Sequence, residues 1–75
     1  MDAKLVEFIA KNLVDDPNGV TVQRKETTST VILQLHVAQG DMGRVIGKNG
    51  RVANAIRSLL RVATKSDKRV ILEID

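Results

Sequence analysis

Leu5, Val6, Ile9 and Leu13 recur at helical spacing near the start of the chain, with Phe8 at the margin of the same face, and predict an amphipathic helix over residues 2–14. Asp15-Asp16-Pro17-Asn18-Gly19 ends it, because Pro17 disfavours helix at Asp16 and Asn-Gly is a turn pair. From Val20 the period falls to two. Val20 and Val22 alternate with Thr21 and Gln23, and residues 25–29 predict the turn into a second strand. There Val31, Leu33, Leu35 and Val37 share one face, with Thr30, Ile32, Gln34 and His36 opposite. Residues 41–46 predict a short helix starting near Gly40 or Asp41, and residues 51–65 a longer one. Ser66-Asp67-Lys68 breaks it, and residues 69–74 predict a last strand with Val70, Leu72 and Ile74 on one face. The order is helix, strand, strand, helix, turn, helix, strand: an α+β domain spanning residues 1–75, with helices on one face of a three-stranded sheet.

Composition narrows the chemistry. The 75 residues leave no room for a second core, and the absence of cysteine removes disulfides and thiolate metal sites. The first helix carries Asp2, Lys4 and Glu7, unlike a signal peptide, and no apolar run approaches the ~20 residues a membrane span needs. A cytoplasmic location is the expectation. Charge is distributed unevenly: residues 1–19 hold two Lys against Asp2, Glu7, Asp15 and Asp16. Residues 40–65 hold Arg44, Lys48, Arg51, Arg57, Arg61 and Lys65 against Asp41 alone. Such asymmetry is the electrostatic footprint of a phosphate-binding face.

Within the basic segment lies Gly47-Lys48-Asn49-Gly50, between the two predicted helices. Glycines let the backbone approach a phosphodiester without an intervening Cβ, and the helix that follows presents free N–H groups to the same place. Lys48 and Arg51 add charge there. Taken alone, Gly-x-x-Gly also describes an ordinary turn between helices, with Asn49-Gly50 supplying left-handed geometry. A nucleotide-binding P-loop does not fit. Gly43 to Gly47 is one residue too short for it, and Asn49 stands where Ser or Thr would hold magnesium. His36 has no second His or Cys to share a metal with, and Asp15-Asp16 reads as a loop rather than a catalytic pair. No nucleophile–base constellation points to an enzyme, and neither cofactor nor metal is expected.

Val45-Ile46-Gly47-Lys48-Asn49-Gly50 followed by Arg51-Val52-Ala53-Asn54-Ala55-Ile56-Arg57 resembles the signature of a K-homology (KH) RNA-binding domain. A helix and a strand ahead of the core correspond to the type II arrangement, α-β-β-α-α-β. Across essentially the whole chain, including the Asp-Pro turn and the Val-Ile-Leu-Gln-Leu and Arg-Val-Ile-Leu-Glu-Ile strands, the sequence is similar to small bacterial single-KH proteins of the KhpA (YlqC) type. The resemblance implies that Gly47-Lys48-Asn49-Gly50 clamp the backbone of about four unpaired nucleotides. It places Ile46 where the family buries an aliphatic residue, and Val45 and Val52 where aliphatic side chains shape a base-binding groove. Ala53 departs from the larger aliphatic residue common at its position, and Gly40 weakens the start of the short helix. Val45, Ile46, Gly47, Lys48, Asn49, Gly50 and Val52, with Arg44, Arg51 and Asn54, make up the candidate RNA-binding set.

Trp and Tyr are absent and the one Phe is in the first helix, so base stacking on aromatics, worth ~1–3 kcal/mol per base, is missing from the basic segment. Phosphate contacts, hydrogen bonds from Asn49 or Asn54, and aliphatic packing remain, and predict weak, salt-sensitive binding of single-stranded RNA with little sequence preference. Arg57, Arg61 and Lys65 read equally as RNA contacts or as a solvated helix face. On the last helix Val52, Ala53, Ile56, Leu60 and Ala63 form a core arc that Ala55, Leu59 and Val62 widen to roughly 180°, beyond the ~100° one contact requires. Two readings stay open: a deeply buried helix, or an interface at Ala55, Ser58, Leu59 and Val62. The resemblance implies homodimers or pairing with a larger Jag-type (KhpB) KH protein. It also implies post-transcriptional regulation, linked in some bacteria to cell elongation and division.

Overall fold

Strand β2 (Thr30–His36) is the centre of a three-stranded sheet of order β1-β2-β3 in the computed structural model, which describes residues 2–64 and 68–75. Strand β1 (Thr21–Glu26) lies antiparallel to it, with Thr21 opposite His36 and Glu26 opposite Val31. Strand β3 (Arg69–Ile74) lies parallel, with Thr30 beside Arg69 and Leu35 beside Ile74. The antiparallel pair needs only a short turn, closed by Thr27 N–H on Thr30 O at 2.8 Å. A parallel pair needs a crossover, and α2 (Met42–Ile46) with α3 (Arg51–Ala63) supplies it. Helix α1 (Asp2–Leu13) comes first in the chain. The α-β-β-α-α-β order is the one the sequence predicts, and it is a type II KH fold.

Alternation along β2 puts Val31, Leu33 and Leu35 under the helices, with Val37 just beyond, and all four are buried. Val6 and Ala10 of α1, Val45 of α2, Ile56 and Leu60 of α3 and Leu72 of β3 complete the core. Burying each large aliphatic side chain contributes roughly 1.5–3 kcal/mol. Of the expected stripe, Val6 is fully buried and Leu5 and Ile9 pack partly buried against the core, while Leu13 is 36% exposed and Ala10, which was not expected there, is fully buried. Ala10 lets the helix approach closely, while Phe8 is turned out at 67% exposure.

Several boundaries differ from expectation. Strand β1 runs on through Lys25 and Glu26, because both still pair with β2. A 3-10 turn over Gln39–Asp41 precedes α2. Helix α3 stops at Ala63, where Thr64 N–H bonds Leu60 O at 2.9 Å and Thr64 turns extended. Lys65 and the predicted Ser66-Asp67 break lie outside the described residues. No helix among them is long and apolar enough to cross a membrane.

One buried carboxylate organises the end of the sheet nearest α2. Asp41 is 4% exposed, and its two oxygens accept the backbone N–H groups of Asp15 and Asp16, each at 3.1 Å. It thereby ties the connection after α1 to the start of α2. Burying a carboxylate is costly unless hydrogen bonds replace water, and these do.

Candidate nucleic-acid interface

The Gly47–Gly50 turn has its shape fixed by sterics. Gly47 has φ 76° and ψ 171°, a region essentially open only to glycine, and a Cβ there would stand 2.5 Å from Val52 Cγ2. Asn49 at φ 58° and Gly50 at φ 76° are both left-handed, which Asn tolerates better than most residues. Around Gly50 a Cβ would meet nothing closer than Asn54 Nδ2 at 3.8 Å. Backbone bonds from Gly47 N–H to Gly43 O at 2.9 Å and from Gly50 N–H to Gly47 O at 3.2 Å close the turn from inside. Arg51 N–H bonds Lys48 O, while the N–H groups of Lys48 and Asn49 have no carbonyl partner among the described residues. The turn therefore offers two amides without a carbonyl partner among the described residues, next to an exposed cation and an exposed amide side chain.

Helix α3 then presents three distinct faces. At 100° per residue, Ala53, Ile56 and Leu60 share the buried arc. Arg51, Asn54, Arg57 and Arg61 form a polar, basic stripe on one side of it. On the other side Ala55, Leu59 and Val62 are exposed, Leu59 at 52% and Val62 at 79%. The deeply buried reading of this helix is thus overturned: a three-stranded sheet is too narrow to cover more than one arc. Ser58 hydrogen-bonds back to Asn54 O at 3.1 Å.

The basic stripe overlooks β3. Arg57 spans the gap, donating from Nη1 to Asn54 Oδ1 at 3.0 Å and from Nη2 to Leu72 O at 3.2 Å. Beside it lies a groove of about 570 Å³ lined by Arg57, Arg61, Thr64, Lys68, Arg69 and the strand from Val70 to Leu72. The Thr64 hydroxyl is buried there without a hydrogen-bond partner among the described residues. Sequence reasoning did not connect Lys68 and Arg69 with α3; the crossover returns both to the edge of this groove. The signal was their place where the predicted break meets the last strand.

Several candidate residues have other work. Val45 is fully buried in the core, so its side chain cannot shape a groove. Ile46, expected to be buried, is 36% exposed, because the inward position of this one-and-a-half-turn helix falls on Val45. Val52 is partly buried, packed over Gly47. Arg44 pairs with Asp15 at 3.0 Å and lies 3.7 Å from Asp41, so its charge is committed to the α1 connection. On the opposite face of the sheet, His36 Nδ1 is 3.3 Å from Asp75 Oδ1 beside Thr21 and Gln34. No group of three or more His, Asp or Glu among the described residues could hold a metal ion.

A helix–Gly-x-x-Gly–helix element beside a basic groove, on this strand order, defines a type II KH domain. Residues 3–74 match the family described as KhpA/KhpB, KH domain. The chain belongs to that family, which is one of KH domains and not of enzymes. It is 51% identical over 72 residues to the RNA-binding protein KhpA of Caldanaerobacter subterraneus, covering 95% of this chain and 96% of that one. It is 50% identical to the protein of the same name from Clostridium acetobutylicum, with the same coverage. With that of Listeria monocytogenes the identity is 47%, covering 95% of each. Among solved structures, Aquifex aeolicus Era bound to GDP and aluminium fluoride superposes with a TM-score of 0.72 at 20% identity, over 97% of this chain and 29% of that one. Era in complex with MgGDPNP and a stretch of 16S ribosomal RNA gives 0.71 at 18% identity, with the same coverage. At that identity the likeness is of fold alone.

Proposed function

We propose that this domain binds single-stranded RNA, with the Gly47–Gly50 turn holding the sugar-phosphate backbone and the strand continuing along the α3–β3 groove. The observation that carries this is the turn itself. Its conformation is set by Gly47 against Val52, and among the described residues two of its backbone N–H groups have no carbonyl partner and Lys48 and Arg51 beside it have no acidic partner. The curated relatives are named as RNA-binding proteins, which supports RNA as the ligand. Arg51, Asn54, Arg57 and Arg61 line the path, and α3 rises about 15 Å between Arg51 and Arg61 at ~1.5 Å per residue. Phe8, the only aromatic, sits on α1, so affinity comes mainly from phosphate contact and is low in sequence preference.

Fluorescence anisotropy with a labelled decauridylate tests this. Changing Lys48 and Asn49 together to Asp should lower affinity roughly 10- to 100-fold, the loss of one or two charge-assisted bonds. Unchanged affinity in a folded variant would end the clamp reading.

A second reading concerns assembly and rests on Leu59 and Val62. With Ala55 they make an apolar stripe on α3 that the rest of the domain leaves uncovered, suited to a second copy or to a larger KH protein of the Jag/KhpB type. Pairing two weak sites raises avidity without new base contacts. We assign such an assembly to post-transcriptional regulation in the cytoplasm. Light scattering on Leu59→Glu with Val62→Glu should show monomer where the unaltered chain shows dimer. A runner-up, in which the domain is an assembly subunit and RNA binding is incidental, predicts that this variant loses cellular function while the Lys48 and Asn49 changes are tolerated.

A further inference from the structure

Of the cations that line the groove, Lys68 is the one paired with a carboxylate among the described residues. Its Nζ bonds Glu26 Oε2 from the start of β3, reaching over β2 to the end of β1, where Glu26, Val31 and Val70 share one row. The partner is held in place from behind. Glu26 Oε1 accepts from Arg24 Nη1 at 2.6 Å, and Arg24 Nε donates to Asp2 Oδ1 at 3.1 Å, at the first turn of α1. A relay Asp2–Arg24–Glu26–Lys68 thus runs from the helix layer across β1 to the far end of the groove. Arg61 and Arg69, which line the same groove, have no such carboxylate among the described residues. Glu26 itself lies outside the groove, on β1, but a carboxylate held against a lysine takes the charge-assisted hydrogen bond that a phosphate oxygen would otherwise accept from it.

Resting on the RNA-backbone reading above, we infer that Glu26 is an internal competitor for phosphate: it withholds Lys68 from bound RNA and confines strong backbone contact to the glycine-turn end. Glu26 is ionised throughout the physiological range, since Lys68 and then Arg24 hold its carboxyl down at about 2. The competitor is therefore constant rather than a pH switch. An incoming phosphate must displace a carboxylate that Arg24 keeps positioned, so Lys68 adds little to affinity as long as Glu26 is present.

Titration of a labelled decauridylate from about 50 to 200 mM salt tests this, with Glu26→Gln, Lys68→Gln, the double variant and Glu73→Gln compared with the unaltered domain. Glu73 lies on the opposite face of the sheet beside Gln34, so its substitution gives the same change of net charge away from the groove. Glu26→Gln should raise affinity about threefold and steepen the slope of log K against log salt by about 0.7, one added phosphate contact on a single strand. Lys68→Gln alone should leave both quantities unchanged, the double variant should erase the gain, and Glu73→Gln should leave the slope unchanged. The inference is overturned if Glu26→Gln has no effect, if its gain survives without Lys68, or if Glu73→Gln matches it. Should Glu26→Gln not fold, Lys68→Gln decides alone, and a loss equal to that of Arg61→Gln rejects the competitor. Loss of binding through Lys48 and Asn49 separates these outcomes from failure of the RNA reading: if that variant binds normally, the clamp itself is wrong.

Discussion

The two ends of the basic face along α3 hold positive charge in different ways. At the glycine turn, Lys48 and Arg51 are exposed and have no acidic partner among the described residues, and the backbone beside them is fixed by one steric contact, Gly47 against Val52. At the far end, Lys68 is tied to Glu26 and through Arg24 to Asp2. One end has a rigid shape and available charge; the other has its charge partly balanced within the fold. Total positive charge is therefore a poor guide to where RNA is gripped. What matters is whether a cation has an anion of its own and whether the backbone beside it can move.

The contrast can be broken first at the turn. Neutralising either Lys48 or Arg51 to Gln should cost several-fold in RNA affinity and flatten the salt slope by about 0.7, whereas Lys68→Gln should do neither. Equal losses at both ends would abolish the distinction. Next, Gly47→Ala should destabilise the domain by about 3 kcal/mol, through a left-handed φ and a Cβ driven into Val52. For a domain of this size that is a fall of more than ~12 °C in melting temperature by circular dichroism. Gly50→Ala meets open space and carries only the left-handed penalty, about 1 kcal/mol, so its fall should be several-fold smaller. If both variants lost the same stability, the steric account of Gly47 would be wrong.

The smallest effect belongs to the far end and depends on pH. Glu26 is lowered from 4.5 to about 2 in the folded chain. A depressed carboxyl stabilises the fold above its unfolded value and loses that contribution as pH falls through the folded one. The melting temperature of the unaltered domain should exceed that of Glu26→Gln at pH 6, and the gap should close between about pH 4.5 and 2. Since the group is exposed, the gap is small. A gap that widened with acid would contradict the relay.

Much of this was legible in the sequence. Period-two alternation identified the buried face of β2, because its neighbours on both sides and helices above leave those positions no water. Arg69–Ile74 emerged with its observed bounds. The Gly-x-x-Gly turn was legible because Gly and Asn are the residues that accept positive φ. Less legible was which apolar positions of α1 touch the sheet, since Ala10 looks minor until a helix has to approach closely. The family resemblance put Ile46 inside and Val45 at the groove, the reverse of what is found, and a five-residue helix carries too little periodicity to have corrected it. The sequence did not reveal Asp41's backbone contacts or Arg44's pairing either, since both join segments some 25 residues apart.

Resemblance to KH proteins implied the type II arrangement; by itself the sequence determined the element order, the glycine turn and the concentration of basic residues around it. These depend on local periodicity and on what single residues permit. Only the tertiary structure decided that α3 keeps Leu59 and Val62 out of the core, and that Arg57 bridges α3 to the carbonyl of Leu72. It alone decided that Lys68 meets Glu26 across the sheet. Those outcomes follow from the parallel crossover, which brings residues distant in sequence to one edge of the sheet, where charge and contact are set by proximity in space.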